Sequence, residues 1–159
     1  MPRAARAAVP GSGGADDRTT QVAELFRLRI LTLEKSVYDA DVISIIVPGL
    51  DGYFGVLAHH APLVATLQPG KLTLKDAQGV EAIYAVSGGF LEVSGNVATL
   101  LADAVEQACD IDAARAEAAR EKAFSMLCSL KDGPDAATAK AAIARADNRI
   151  QVCRAQKPE

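Results

Sequence analysis

Between Phe26 and Leu101 apolar and polar residues alternate with a period of two. Phe26, Leu28 and Ile30 flank Arg27 and Arg29, and Ile43, Ile45 and Val47 repeat the pattern. Leu72 and Leu74 stand between Lys71, Thr73 and Lys75. Val80, Ala82, Tyr84 and Val86 follow, then Val97, Thr99 and Leu101. This period puts the apolar members of each run on one face of a strand. Pro48-Gly49, Asp51-Gly52, Pro69-Gly70, Gln78-Gly79, Gly88-Gly89 and Gly95-Asn96 punctuate the runs as turns. Many short strands at this spacing predict a sandwich or a barrel over residues 23–106.

The period changes near residue 105. Residues 107–159 are rich in Ala, the best helix former, with charges spread through them. Asp110 is placed to cap a first helix, with Asp112 in its first turn beside the positive dipole end. Asp132-Gly133-Pro134 breaks the helix: Gly133 suits a left-handed end and Pro134 a new start. Ile143, Ala146, Ile150 and Cys153 then recur at spacings of three and four, facing Ala119, Ala123, Leu127 and Leu130. Two helices of about twenty residues around a short break form an antiparallel hairpin. Its seam is mostly Ala. Apolar burial contributes about 25 cal/mol per Å², so such a hairpin is held weakly. A weakly held element can exchange between arrangements that a ligand or partner selects.

Charge sharpens the division. Residues 23–105 carry five basic residues against nine acids, whereas 110–157 carry nine basic against seven acids. The hairpin is therefore the half suited to phosphate or to an acidic partner surface. The net charge of -3 and the absence of Trp argue against a nucleic-acid protein, which needs a basic surface and stacking platforms. No run approaches the roughly 18 apolar residues of a membrane span. Residues 1–22, with Ala-Arg repeats, a Gly-Ser stretch and paired Asp16-Asp17, read as a disordered extension. Cys109, Cys128 and Cys153 lack metal or redox spacing and read as reduced, partly buried side chains.

Catalytic constellations are hard to build. His59-His60, on a strand, would point to opposite faces and lack further metal ligands. Ser87 has no evident His and Asp partners. Gly88-Gly89 is not followed by the Lys-Ser/Thr of a phosphate cradle and reads as a bulge or a close backbone approach.

Particular segments resemble one family. Val47-Pro48-Gly49 is followed by Gly52-Tyr53-Phe54-Gly55-Val56-Leu57, then by His60-Ala61-Pro62-Leu63 and Gln68-Pro69-Gly70. Tyr84 to Val93 reads YAVSGGFLEV, and Leu101-Ala102-Asp103-Ala104 closes the series. In order and spacing these resemble the epsilon subunit of the bacterial F-type ATP synthase, from about Phe26 to Val152. The resemblance implies an N-terminal flattened antiparallel β-sandwich followed by a C-terminal antiparallel two-helix hairpin. It implies a non-catalytic subunit of the central stalk, coupling proton flow to ATP synthesis. The sandwich would bind the gamma subunit and the ring of c subunits. The hairpin would reach towards the catalytic alpha and beta subunits and inhibit hydrolysis. The chain would be held at the cytoplasmic side of the cell membrane only through the complex. A free-standing nucleotide sensor of the same fold is the alternative.

The resemblance also marks residues. Asp51, Gly52 and Tyr53 stand where the family meets the c ring, and His60 where it lies near gamma. Some members bind ATP as a regulatory ligand on the folded hairpin through Ile/Leu-Asp-x-x-Arg-Ala, present here as Ile111, Asp112, Arg115 and Ala116. Glu106 corresponds to the upstream acid, Arg145 and Arg149 to the basic pair of the second helix. Lys122 takes a position often held by Arg, exchanging a bidentate fork for a point charge. A hairpin turning near Asp132 sets Arg115 and Arg149 at similar height, and Arg145 and Arg149 share a face. Three or four cations would then converge on one anion, with Asp112 and Glu106 accepting from adenine or ribose. The same residues also fit an ordinary reading: a local Asp112–Arg115 pair and a solvated Arg145–Arg149 face. No cofactor is required for the rotor role.

Overall fold

The computed structural model describes residues 23–130 and 133–155; the expectations for residues 1–22 and for Asp132 fall outside them. Seven strands come first: β1 (Phe26–Leu31), β2 (Ser36–Gly49), β3 (Gly52–Leu57), β4 (Leu63–Asp76), β5 (Glu81–Ser94), β6 (Val97–Ala102) and β7 (Val105–Gln107). A 3-10 turn over Ala108–Asp110 leads into helices α1 (Ala113–Ser129) and α2 (Pro134–Ala155). The fold is the expected β-sandwich followed by two helices.

The strand order is β1-β6-β5-β4-β2-β3, and β1 also pairs β2, so the sheet closes on itself. All pairings are antiparallel except β1 with β6. The long strands serve two neighbours on one edge: β2 pairs β1 with one half and β3 with the other, while β5 pairs β7 and then β6. Closure folds the inner faces onto one core containing Leu28, Ile45, Leu72, Val86, Leu91 and Leu100.

Alternation predicted the inward face of β1 and β4: Phe26, Leu28, Ile30, Leu72 and Leu74 are buried. Elsewhere the facing departs from the expectation for identifiable reasons. In β2 the register with β4 shifts between Val42 and Ser44, which leaves Ile43 as the extra residue of a bulge. Val42 takes its place in the core beside Ile45 and Val47. In β6 the face is reversed: Ala98, Leu100 and Ala102 are buried and Leu101 is exposed. One face carries Ala98, Leu100 and Ala102 and the other Val97 and Leu101 around a single Thr99, so the pattern does not choose. The Gly95-Asn96 turn chooses, because both residues take positive φ and pair the inward Val93 with Ala98. Val80 lies in the turn before β5 and is exposed.

The helix termini also differ. Asp112, not Asp110, is the N-cap: its side chain accepts from the Arg115 backbone N–H at 3.0 Å. Asp110 closes the 3-10 turn. Helix α1 ends at Ser129 with an extended Leu130, before Gly133 is reached. Pro134 begins α2 as expected. In the seam Ala116, Ala123, Ala136, Ala139, Ala146 and Ile150 are buried, whereas Ala119 is exposed. Ile143 and Cys153 are half-buried. His59-His60 is a turn after β3 rather than strand, with His59 at φ +59.

Candidate functional site

Helix α2 lies on the outer face of β4 and β5. Outward-facing Ala85 joins Ala108, Ile111 and Val152 in a small buried cluster, with Ile83 and Cys153 against it. Four residues form the whole buried set, three of them no larger than Val apart from Ile111. The apolar term holding the hairpin down is correspondingly small.

Three consecutive residues of α2 add polar fastening, each in a different direction. Asp147 forms an ion pair with Arg120, Oδ1 to Nε 2.7 Å, and ties α2 to α1. Asn148, 8% exposed, donates Nδ2 to the carbonyls of Gly70 and Val86, both at 3.0 Å. Arg149 binds Glu106 of β7, with Nε 2.8 Å from Oε1 and Nη2 on the same oxygen. That pair is only partly exposed, so water screens it less than the surface pairs.

Beside this pair is a cleft of about 250 Å³ lined by Glu106, Asp110, Asp112, Arg115, Ala116, Ala119 and Arg149. It gathers five of the eight residues expected around a nucleotide. Ile111 lies in the buried cluster just behind it. Lys122 and Arg145 do not line it. Lys122 is exposed two turns further along α1, and Arg145 is half-buried one turn before Arg149. Two cations therefore meet three carboxylates in the cleft, rather than three or four cations converging. Asp112 already spends one oxygen on its cap, and Glu106 is engaged by Arg149.

The sandwich residues expected at interfaces do not form one patch. Asp51 lies in the tight turn between β2 and β3, and Gly52, at φ +129, and Tyr53 open β3. His60 follows the other end of β3, about 15 Å away at roughly 3.3 Å per strand residue. Its Nδ1 lies 2.8 Å from the Ala61 carbonyl oxygen. Tyr53 is exposed, yet its Oη accepts from the Lys71 backbone N–H at 3.0 Å. This hydroxyl sits where the register of β2 with β4 breaks between Ile46 and Gly49.

A further surface was not singled out by alternation. Leu31, Leu101 and Phe90 are direct partners across β1, β6 and β5, and Thr66 of β4 continues the row. Phe90 and Leu101 are each more than half exposed, with Val64 and Leu50 exposed nearby. The signal was present in the two-sided apolar character of β6. Asn148 was also missed; a polar residue inside the seam spacing of Ala146 and Ile150 was its only trace. Among the described residues no group of three or more His, Cys, Asp or Glu is placed to hold a metal ion.

Fold and fastening together define a β-sandwich subunit with a helical hairpin laid on one face. Residues 25–108 match the family model of the ATP synthase delta/epsilon chain beta-sandwich domain, and residues 110–154 match that of its long alpha-helix domain. The chain belongs to this ATP synthase delta/epsilon family. The ATP synthase epsilon chain of Protochlamydia amoebophila is 50% identical over 99 residues, covering 62% of this chain and 67% of the relative. That of Moorella thermoacetica is 43% identical over 124 residues, covering 78% and 92%. A chain in the Euglena gracilis mitochondrial ATP synthase, solved as an OSCP/F1/c-ring assembly, superposes with a TM-score of 0.70 at 22% identity. The match covers 89% of this chain and 87% of that one.

Proposed function

We propose that this chain is a non-catalytic rotor subunit of the F-type ATP synthase. Its sandwich joins the gamma subunit to the c ring, so proton flow through the ring turns the shaft that drives ATP synthesis. The observation that carries this reading is the apolar row Leu31–Leu101–Phe90, exposed at Leu101 and Phe90, on the sandwich of a chain whose structural relative belongs to an F1/c-ring assembly. An exposed apolar strip on a folded sandwich suits a partner surface. The Asp51–Tyr53 turn and the His60 turn, at opposite ends of β3, suit contacts with two different partners. No described helix is long and apolar enough to cross a membrane. In this reading the chain is peripheral, held on the cytoplasmic side of the cell membrane by the complex.

The hairpin is the regulatory part. Its small buried cluster and few polar ties suit an element that leaves the sandwich and reaches the catalytic alpha and beta subunits, restraining hydrolysis. The cleft beside Arg115 and Arg149 suits a regulatory ATP, with Arg149 released to phosphate once Glu106 turns away. Calorimetry with millimolar ATP tests that site; no saturable heat removes it. Purification of the tagged chain from its own cells tests the rotor role. Gamma, c and the catalytic subunits are expected to travel with it. Recovery of the chain alone would favour a free-standing nucleotide sensor. For the hairpin, the catalytic head should hydrolyse ATP faster with a chain ending after Gln107 than with the full chain. Equal rates would remove the inhibitory role and leave docking intact.

A further inference from the structure

The Asn148 contact has a second side. Gly70 and Val86 are paired residues of β4 and β5, and one Asn148 amide nitrogen donates to both of their carbonyls. The peptide unit that offers the Gly70 carbonyl also carries the Lys71 N–H, and that N–H donates to Tyr53 Oη. One peptide group is thus held from opposite ends by the hairpin and by the β2–β3 turn. Gly70 makes the approach possible: a Cβ there would stand 2.4 Å from Pro48 Cβ and 3.0 Å from Tyr53 Oη.

We infer that Asn148 is the latch of the hairpin on the sandwich, and that Tyr53 tunes it through the Gly70–Lys71 peptide. Polar ties decide because the apolar contact is slight: Ala85, Ala108, Ile111 and Val152 are the entire buried cluster. Asn148 is the sole buried polar side chain among the described residues, so its amide is committed to this contact alone. When the hairpin lifts, amide and carbonyls all pass to water, and the latch can open without stranding a buried group. Hydrogen bonds at the two ends of one peptide polarise each other, so a firm Tyr53 bond strengthens the Gly70 acceptor. A partner that draws the Tyr53 hydroxyl away from the Lys71 N–H therefore loosens the latch. This extends the proposed regulatory role of the hairpin. It stands or falls on the isolated chain, with gamma, ring and catalytic subunits absent, so failure of the rotor reading is a separate result.

Cys153 supplies the probe. It is half-buried beside the cluster, with Sγ 3.8 Å from the Ile111 carbonyl oxygen, whereas Cys128 is exposed on α1. The rate of N-ethylmaleimide labelling at Cys153 relative to Cys128, mapped by peptide mass spectrometry, reports lifting of α2. Asn148→Asp keeps the shape but sets carboxylate oxygens against two carbonyl oxygens. Asn148→Leu keeps the bulk without a donor. Each should raise relative labelling about five- to a hundredfold, the loss expected for two hydrogen bonds. Tyr53→Phe should raise it about two- to threefold, and should add nothing in the Asn148→Leu background. Amide exchange in β1 and β6 should stay slow throughout. Unchanged labelling in both Asn148 variants would overturn the latch, as would equal loss of protection in β1 and β6. A Tyr53→Phe effect of the same size in both backgrounds would overturn the coupling.

Discussion

Gly89→Ala should be among the costliest single substitutions in the sandwich. Gly89 has φ +138, where side chains other than hydrogen are rarely found. A Cβ built there lies 2.1 Å from the Leu101 carbonyl oxygen, 2.8 Å from Ala102 Cα and 3.0 Å from the Leu101 carbonyl carbon. All three are backbone atoms of β6, which Gly89 and Phe90 pair directly. No side-chain rotation relieves the clash; β6 must lift from β5. The conformation costs about 1–3 kcal/mol and the overpacking a further 1–3, giving a loss of about 2–6 kcal/mol. Domains of this kind hold about 5–15 kcal/mol in total, so the variant falls to the margin of folding. Gly95→Ala is the control. Gly95 also has positive φ, +57, but nothing lies within 4 Å of its Cβ position. Its loss should be about 1–2 kcal/mol, the left-handed penalty alone. Urea unfolding of both variants measures the difference. Similar small losses in the two would refute the close-approach argument.

Val152→Ala removes two methyl groups from the hairpin cluster, where Val152 is 1% exposed. It should weaken docking by about 1.5–2.5 kcal/mol, speeding amide exchange in α2 at least tenfold while β1 and β6 keep their protection. Burial holds the Tyr84 phenol above its ordinary pKa, with Tyr38 adding to the shift. A neutral phenol favoured by the fold contributes stability below about pH 10, lost as pH rises through the folded-state value. Urea midpoints from pH 9 to 11.5 should therefore fall, and Tyr84→Phe should flatten that decline. Phe90→Asp puts a charge in the exposed apolar row. It should weaken gamma binding at least about tenfold while shifting the thermal midpoint by only a few degrees.

Much of this was legible in the residues, for reasons that can be stated locally. Strands with one polar face, such as β1 with Arg27 and Arg29, declare their inward side. Strand β6 does not, because Val97 to Ala102 is apolar but for Thr99; its outer face carries the exposed Leu101. The Ile43 bulge was hidden because Val42 and Ile43 are equally apolar, and only the pairing with β4 separates them. Asp110 and Asp112 are both good caps, and the 3-10 turn decides between them. At the candidate site, the motif gave Asp112, Arg115 and Ala116 correctly as neighbours of Glu106 and Arg149. It could not give the pairing of Glu106 with Arg149, or the outward drift of Lys122 and Arg145, which depend on how α2 lies on the sandwich. Asn148 was illegible because its partners are backbone carbonyls, which have no sequence signature.

The central claim is that the sandwich is a docking module for the rotating shaft. Titrating purified full-length chain into its purified gamma subunit tests it most directly. The account predicts saturable one-to-one binding tighter than about 1 μM, a free energy beyond about -8 kcal/mol. Asn148→Asp should keep that affinity, and Phe90→Asp should lose most of it. Absence of binding by the unmodified, folded chain at tens of micromolar would contradict the account.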